Sequence, residues 1–557
     1  MNKILFGILI FAFVIRLIGL DYGIPQRFVG DEFVQVAVAL KMLEAKSFIP
    51  NFPDIFYHQP LSAYISLVGM SAYLGWQFLT GQFESLAAMK VYYAIHSGEL
   101  LIVPRFLAAL LGMLAIYFIY LAARDLFNKR IALTAAFFAA TDFLLVYIAH
   151  AGRVWSYMPF FIALALWASV KLYKEESWKN YLAVVGSVLL AAANLLPGIF
   201  IFAPTFINRF GKSRKLWASV GILSLGVLLI LFMNPRGLGA LLFRFQSLSG
   251  SALVEAVAGQ SIEYTVAPTP IFNRIFDAPI TLFNYSPIYF ILFFVGGWLL
   301  WRDDRRKAIF LLSFPAIYYL FIGPFFGFGW VARALGPLAI YLAIFSAYAV
   351  EKLFLEKAES FREKITIVFA TALIPLFMGF WFDARLLKED SREQALNWLY
   401  QNLPENSRVL VYSLTNEIVN QNRAVLDALR KNFPKELDTR QRTLLAGDDA
   451  LYPSPKYFAW DARDISLDRL PKNFLKNHSF QYYVITDWQN SVQREFEAEL
   501  AKLLAEKKLL VEFNPFGRTE FSKHDISSLH NMLYPIRSLI SSERMGPAVR
   551  IYEVKFK

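Results

Sequence analysis

An acidic pair, Asp31–Glu32, stands just past the first apolar run of the chain, in the stretch RFVGDEFVQVAVALKMLEAKSFIPNFPDIFYHQPLSAY at residues 27–64. Carboxylates at the end of a membrane helix sit at the bilayer surface, at the depth of a lipid headgroup. A carboxylate there can take a proton from a hydroxyl while neighbouring groups hold a phosphate, and desolvation strengthens it as a base. Asp31 has a plainer competing role, capping the helix that starts at Phe33, and Glu32 could simply favour that helix's first turn. Arg333 falls at the outer end of a late apolar run, where a guanidinium fork suits a phosphate and where snorkelling to the interface would suit it equally. Arg153 and His150 fall together at another such end, where they could bind the same phosphate or the sugar, or equally anchor the interface, and Tyr57 and His58, before Pro60-Leu61 in the acidic pair's own stretch, are candidates for shaping the donor site beside the pair. His58 has no second His or Asp at ligand spacing, so a metal centre is not supported and no cofactor is required.

The elements that position these residues are membrane helices. The chain has 557 residues, 56% hydrophobic and only 18% charged, with a mean hydropathy of +0.41. A soluble protein of this size carries nearer a quarter charged residues. Apolar segments long enough to span run over 4–20, 100–122, 131–149, 155–173, 180–194, 196–208, 216–233, 283–301, 307–323, 333–350 and 365–382, which gives about eleven spans. The first reads as an uncleaved anchor, because no A-x-A-like site follows and Arg16 interrupts it. Residues 60–79 are also uncharged, but counting them as a span would put every later basic loop outside. With 60–79 lying on or in the outer leaflet, basic clusters such as Arg209/Lys212/Arg214/Lys215 and Arg302/Arg305/Arg306/Lys307 all fall on one side. The positive-inside rule makes that side cytoplasmic, so the N-terminus is inside and the loops 21–99 and 234–282 are external. The second of these reads as a lid-like or irregular connection. Arg16 and Arg105 lie within spans, and Asp142 in the third span is their obvious buried partner.

Past Asp383 the composition turns polar. Ser391 opens a capping-box-like helix start, candidate strands fall at 408–412, 482–486 and 548–554, and a helix falls near 492–506. The stretch 430–475 reads as loosely ordered. The division is a membrane domain over 1–386 and an external α/β domain over 387–557. A net charge of +12 suits anionic headgroups or phosphorylated lipids as partners, and nothing points to nucleic acid. Cysteine is absent, which excludes disulfides and thiolate chemistry.

Four features together resemble the GT-C superfamily of membrane glycosyltransferases, in the protein O-mannosyltransferase and aminoarabinose-transferase-like branch. They are a first span followed by Asp31–Glu32; His58-Gln59-Pro60-Leu61 before a surface helix, with Gln where the branch has a first Pro; Pro104-Arg105-Phe106-Leu107 leading to Gly112 and Ala123-Arg124-Asp125-Leu126-Phe127; and Arg333 followed by Pro337. The pattern covers about residues 1–350, and Asn402-Leu403-Pro404 before Val409-Leu410-Val411 is similar to the branch's soluble tails. The resemblance implies a GT-C-like helical membrane fold and an inverting transferase. It would use a polyprenyl-phosphate-linked sugar of the dolichyl-phosphate-mannose kind, at the external face of the cell membrane. The implied roles are Asp31 as the base that takes the acceptor's proton, Glu32 beside it, and Arg333 on the donor phosphate. The acceptor is unknown. Some members carry a second external Asp where this chain has His150-Ala-Gly-Arg153. Neither a Rossmann glycine fingerprint nor a cytoplasmic D-x-D supports a nucleotide-sugar site. The reading from another class is a lipid or solute transporter without chemistry, which predicts helices broken at the midplane.

Overall fold

The structure is a computed structural model that describes residues 3–50, 60–211, 213–233, 253–257, 260–264, 271–325, 331–412, 419–462, 470, 474–489, 491–529, 532 and 534–557. Tyr57 and His58 lie outside the described residues, as does most of the loop 234–270. Every apolar segment expected to span is helical. The chain runs α1 (Lys3–Leu17), α2 (Phe33–Ala45), α3 (Pro60–Leu79), α4 (Leu86–Ile95), α5 (Ile102–Leu126), α6 (Lys129–Thr141), α7 (Phe143–Ala149), α8 (Val154–Lys174), α9 (Trp178–Asn194), α10 (Ala203–Arg209) and α11 (Arg214–Met233). A hairpin of β1 (Leu253–Val257) and β2 (Gln260–Tyr264) precedes α12 (Ile271–Tyr285), α13 (Pro287–Asp303), α14 (Arg305–Phe325), α15 (Val331–Ala334), α16 (Gly336–Val350) and α17 (Phe361–Leu386). Among the described residues five helices are long and apolar enough to cross a membrane, or seven if each bent helix pair counts as one span. The chain is thus a multi-pass membrane protein, and α3 is not among those helices.

Two expectations change here. The connection before the eighth expected span is not wholly irregular: it holds the hairpin and α12, which meets α13 at a bend of 115°. The third expected span is not one helix either, because α6 and α7 are bent by 53° at Asp142. Asp142 ends α6 and starts α7, with its carboxylate accepting from the Leu145 amide at 3.0 Å. That N-cap bond satisfies an amide that would otherwise continue the helix ladder. Its other oxygen accepts from the Ser286 hydroxyl at 2.6 Å, at the α12–α13 bend. The break leaves the last carbonyls of α6 without amide partners. Arg16 of α1 supplies donors to two of them, Ala140 at 3.3 Å and Ala139 at 3.4 Å, where a cation also suits the negative end of a helix dipole. Arg16 and Asp142 are therefore not a simple ion pair; they close opposite helix ends at one break.

By internal contacts the chain forms two compact units. One comprises residues 1–20, 34–73 and 102–383; the other comprises 21–33, 74–101 and 384–557. In the first, α2 packs on α3 through Val38, Met42 and Ala63. Gly69 of α3 lies so close to Val103 and Leu107 of α5 that an added Cβ would clash.

In the second unit a five-stranded sheet has the order β4-β3-β5-β7-β6, built from β3 (Arg408–Tyr412), β4 (Phe458–Asp461), β5 (Tyr482–Asp487), β6 (Leu504–Phe513) and β7 (Ala548–Phe556). Strands β4, β3 and β5 are parallel, and β7 and β6 add antiparallel. Alternate residues of β3 face opposite layers, as the two-residue strand period requires. Val409 and Val411 pack on α18 (Ser391–Asn402) through Ala395, Leu396 and Leu399. Leu410 and Tyr412 pack in a second layer with α19 (Arg423–Asn432), α20 (Thr439–Ala446) and α21 (Ser491–Leu503). The stretch 430–475, expected to be loose, contains α20 and β4 in its described part. The helix expected to reach 506 stops at Leu503, where β6 begins. The N-cap of α18 is Asp390, not Ser391: its carboxylate accepts from the Arg392 amide at 2.9 Å.

Candidate functional site

Arg153 and His150 share one buried turn of the first unit. His150 ends α7 and Arg153 is the N-cap of α8. The turn is closed by the Ser156 hydroxyl, 2.5 Å from the carbonyls of Ile148 and Ala151. Gly152 is required for its fit, since an added Cβ would stand 2.5 Å from the Pro104 ring. The Tyr157 hydroxyl donates to the Pro104 carbonyl at 3.3 Å. The Pro104-Arg105 step of the sequence pattern is thus the floor on which the His150–Arg153 turn rests. Arg105 is fully buried and donates to the Leu20 carbonyl at 3.0 Å, just before the chain enters the segment carrying Asp31.

The His150 ring is held from both sides, Nδ1 lying 2.8 Å from the Val146 carbonyl and Nε2 3.3 Å from Asp383 Oδ1 on α17. Phe382 presents a ring edge-on to it. The sequence marks Asp383 only as the end of the last expected span. Its partnership with His150 had one legible signal, an acid at the edge of an apolar run. Asp383 also lines a small cleft with Phe11, Ile15, Thr141, Val146 and Phe380.

Arg333 sits half-buried in the short helix α15, which packs against α7 and α8. The start of α16 is pressed on the same pair: an added Cβ at Gly336 would meet Ile148 Cδ1 at 2.5 Å and Pro159 Cγ at 3.4 Å. The Tyr318 hydroxyl anchors α15 by donating to the Ala334 carbonyl at 2.8 Å. Two arginines and a histidine are thereby carried by elements packed at the C-terminal end of α7 and the N-terminal ends of α8 and α16. Helix N-termini favour an anion through their unpaired amides and macrodipoles.

The acidic pair belongs to the second unit. Gly30–Glu32 form one 3₁₀ turn, with the Glu32 amide donating to the Val29 carbonyl at 3.2 Å, and the turn runs directly into α2. Glu32 is fully buried, whereas Asp31 is partly exposed. Of the pair, Asp31 is the one with access to a reactant. Among the described residues no group of three or more His, Asp or Glu could hold a metal ion.

No curated protein matches this chain. Among solved structures it is similar to ArnT from Cupriavidus metallidurans in the apo state, with 13% identity over 91% of this chain and 95% of that one and a TM-score of 0.49. It is also similar to the apo oligosaccharyltransferase of Archaeoglobus fulgidus, with 14% identity over 86% and 69% and a TM-score of 0.44. A third likeness is to the oligosaccharyltransferase AglB of Archaeoglobus fulgidus in complex with an inhibitory peptide and a dolichol-phosphate, with 13% identity over 94% and 76% and a TM-score of 0.44. Residues 86–235, which include the Pro104-Arg105 step and the His150–Arg153 turn, match the family model described as dolichyl-phosphate-mannose-protein mannosyltransferase. Over that stretch the chain is similar to the dolichyl-phosphate-mannose-protein mannosyltransferases.

Proposed function

We propose that the chain transfers a sugar from a polyprenyl-phosphate donor to a protein, lipid or glycan acceptor at the extracytoplasmic face, with inversion at the anomeric carbon. Asp31 takes the proton of the acceptor hydroxyl. The acceptor oxygen bonds to the anomeric carbon as the bond from that carbon to the phosphate oxygen breaks, and polyprenyl phosphate leaves with the electron pair. Glu32 orients Asp31. Arg333 and Arg153, with His150, hold the phosphate. Residues 1–386 form the catalytic membrane domain and 387–557 the extracytoplasmic domain of a plasma-membrane protein whose N-terminus is cytoplasmic.

The observation that carries the phosphate assignment is the packing of α15 against α7 and α8, which gathers Arg333 with the His150–Arg153 turn. Preorganised cations of this kind stabilise a leaving phosphate where charge develops. The test is transfer from a polyprenyl-phosphate sugar in nanodiscs. Asp31→Asn should retain donor binding and lose turnover on the order of 100-fold or more. Arg333→Lys should weaken donor binding by roughly 1–3 kcal/mol, because a point charge replaces a bidentate fork. Near-normal turnover in Asp31→Asn removes Asp31 from the mechanism. Unchanged donor affinity in both Arg333→Lys and Arg333→Ala leaves Arg333 an anchor.

A further inference from the structure

The segment that carries the acidic pair, residues 21–33, is part of the same compact unit as the C-terminal domain. What joins them is a set of four buried side chains. Asp390 is fully buried, and its carboxylate takes a bidentate pair from Arg392, Nε at 2.8 Å and Nη2 at 2.9 Å. The Tyr22 hydroxyl donates to the same carboxylate and lies 3.3 Å from Arg392 Nη2. The Arg392 guanidinium stands 3.9 Å from the centre of the Phe28 ring, with Trp488 further off at 5.5 Å. Its Nη1 also reaches the Phe28 carbonyl at 3.5 Å. Tyr22 and Phe28 meet edge to face with centroids 6.2 Å apart. All four residues are at most 5% exposed.

The fit leaves no slack. Gly23 has a left-handed φ of +66°, and an added Cβ there would meet the Phe28 ring at 2.5 Å. Gly546 has φ +104°, and the space of its missing Cβ is filled by Ser391 Oγ and Asp390 Oδ1. The 3₁₀ turn Ser97–Leu101 braces the segment as well, because Gly98 is pressed against the Pro25 carbonyl. That turn's neighbour α4 is held by the C-terminal domain, with Arg440 Nε donating to the Ile95 carbonyl at 3.2 Å and Ile95 lying in the domain's own core. Burial and the Asp390 carboxylate push the Tyr22 hydroxyl well above its ordinary pKa, so it stays a donor.

Both hydrophobic layers of the C-terminal sheet are complete without these four side chains. A buried ion pair is a poor device for stability but a directional one. It fixes the backbone at Phe28, two residues before the turn that holds Asp31 and Glu32. Misplacing a reacting group by about 1 Å can cost about 100-fold in rate. We propose that the C-terminal domain positions the acidic turn through this clasp, making Tyr22, Phe28, Asp390 and Arg392 positioning residues for the proton transfer. The proposal rests on the assignment of Asp31 as the base.

The experiment compares full-length wild type, Tyr22→Phe and Phe28→Leu in nanodiscs. It measures hydrogen exchange over residues 26–34 together with kcat and donor KM. Phe28→Leu keeps apolar bulk but removes the π face, and Tyr22→Phe keeps the ring but removes the donor to Asp390. In both variants exchange at 29–33 should rise about tenfold while the sheet strands stay protected. In both kcat should fall about tenfold with donor KM within about twofold. The idea is overturned if exchange stays at wild-type levels, or if exchange rises while kcat holds. Turnover surviving Asp31→Asn would sink the base assignment instead, and the exchange data would still report whether the clasp holds the turn.

Discussion

Among the described residues arginine and aspartate are buried together in each of the two units, which solve the same desolvation problem differently. In the helical unit Arg16 and Asp142 do not satisfy one another. Arg16 donates to the exposed carbonyls at the end of α6, and Asp142 caps the start of α7 and accepts from Ser286. In the C-terminal unit Arg392 and Asp390 face each other as a bidentate pair, roofed by Phe28. In the first case the partners, Ser286 apart, are backbone ends, which cannot be mutated away. In the second they are side chains, and the whole set can be exchanged. A broken helix in a membrane has no water to fall back on, so its ends must be closed by side chains from elsewhere. The transporter reading counts on broken helices, and this break is one, with its ends closed by Arg16 and Asp142.

The largest effect should therefore come from the helical unit. Arg16→Met with Asp142→Leu leaves the Ala139 and Ala140 carbonyls, the Leu145 amide and the Ser286 hydroxyl without these partners in a dry interior. We expect a loss on the order of 5 kcal/mol, or no folded protein, read as thermal stability in nanodiscs. If the double variant is near wild type, the break is not held by these residues and the contrast with the clasp collapses.

The clasp should behave in the opposite way. Arg392→Met alone strands the Asp390 carboxylate and should cost about 3 kcal/mol or more. Converting the set together, with Tyr22→Phe, Asp390→Leu and Arg392→Met, removes every buried charge at once. It should recover most of that loss, leaving about 1 kcal/mol for the missing N-cap of α18. Stability would then return without activity, which separates holding the fold from aiming Asp31. A triple variant no more stable than Arg392→Met would show that the pair is not exchangeable.

How much of this was readable in advance follows the same divide. Each apolar run expected to span is helical, because a bilayer demands length and apolarity and little else, but among the described residues only five helices, or seven with the bent pairs, are long and apolar enough to cross, against about eleven expected. The break at Asp142 was hidden, since 131–149 reads as one run and only a capping bond from its single acid interrupts the ladder. Strand β6 was missed because Glu506, Lys507 and Lys508 look like a helix end, whereas charged residues suit an exposed sheet edge. Asp31–Glu32 stood out as a pair, and Arg153 and Arg333 as charges at apolar ends. The clasp was out of reach: nothing in Tyr22 or Phe28 points to Asp390 and Arg392, more than 360 residues away, and Arg392 looked like an ordinary first-turn residue. Pairings between distant segments leave no periodic trace.

The smallest predicted effect tests a cluster with half-exposed arginines in the C-terminal unit against the fully buried clasp. Asp525 is buried, while its partners are half exposed: Arg537 Nε lies at 2.8 Å and Arg518 Nη2 at 2.9 Å. Burial pushes the Asp525 carboxyl up, but hydrogen bonds from Arg537 and from the Ser522 amide and hydroxyl outweigh it and hold it well below the usual carboxylate range. A carboxyl depressed by folding adds stability above its unfolded pKa of about 3.9, and that stability is lost as pH falls through the lower folded value. Asp525→Asn should therefore melt below wild type at pH 7, by about 2–4 °C for a loss of about 1 kcal/mol. The gap should narrow as the pH drops below about 4, because the wild-type carboxyl then takes up its proton and loses the same bonds. Arg537→Lys, which keeps charge but not the fork, should fall between the two at neutral pH. A gap that stays constant down to acid pH would mean that Asp525 acts through packing and the Ser522 turn rather than through its charge, and it would then differ less from Asp390 than their partners' exposure implies.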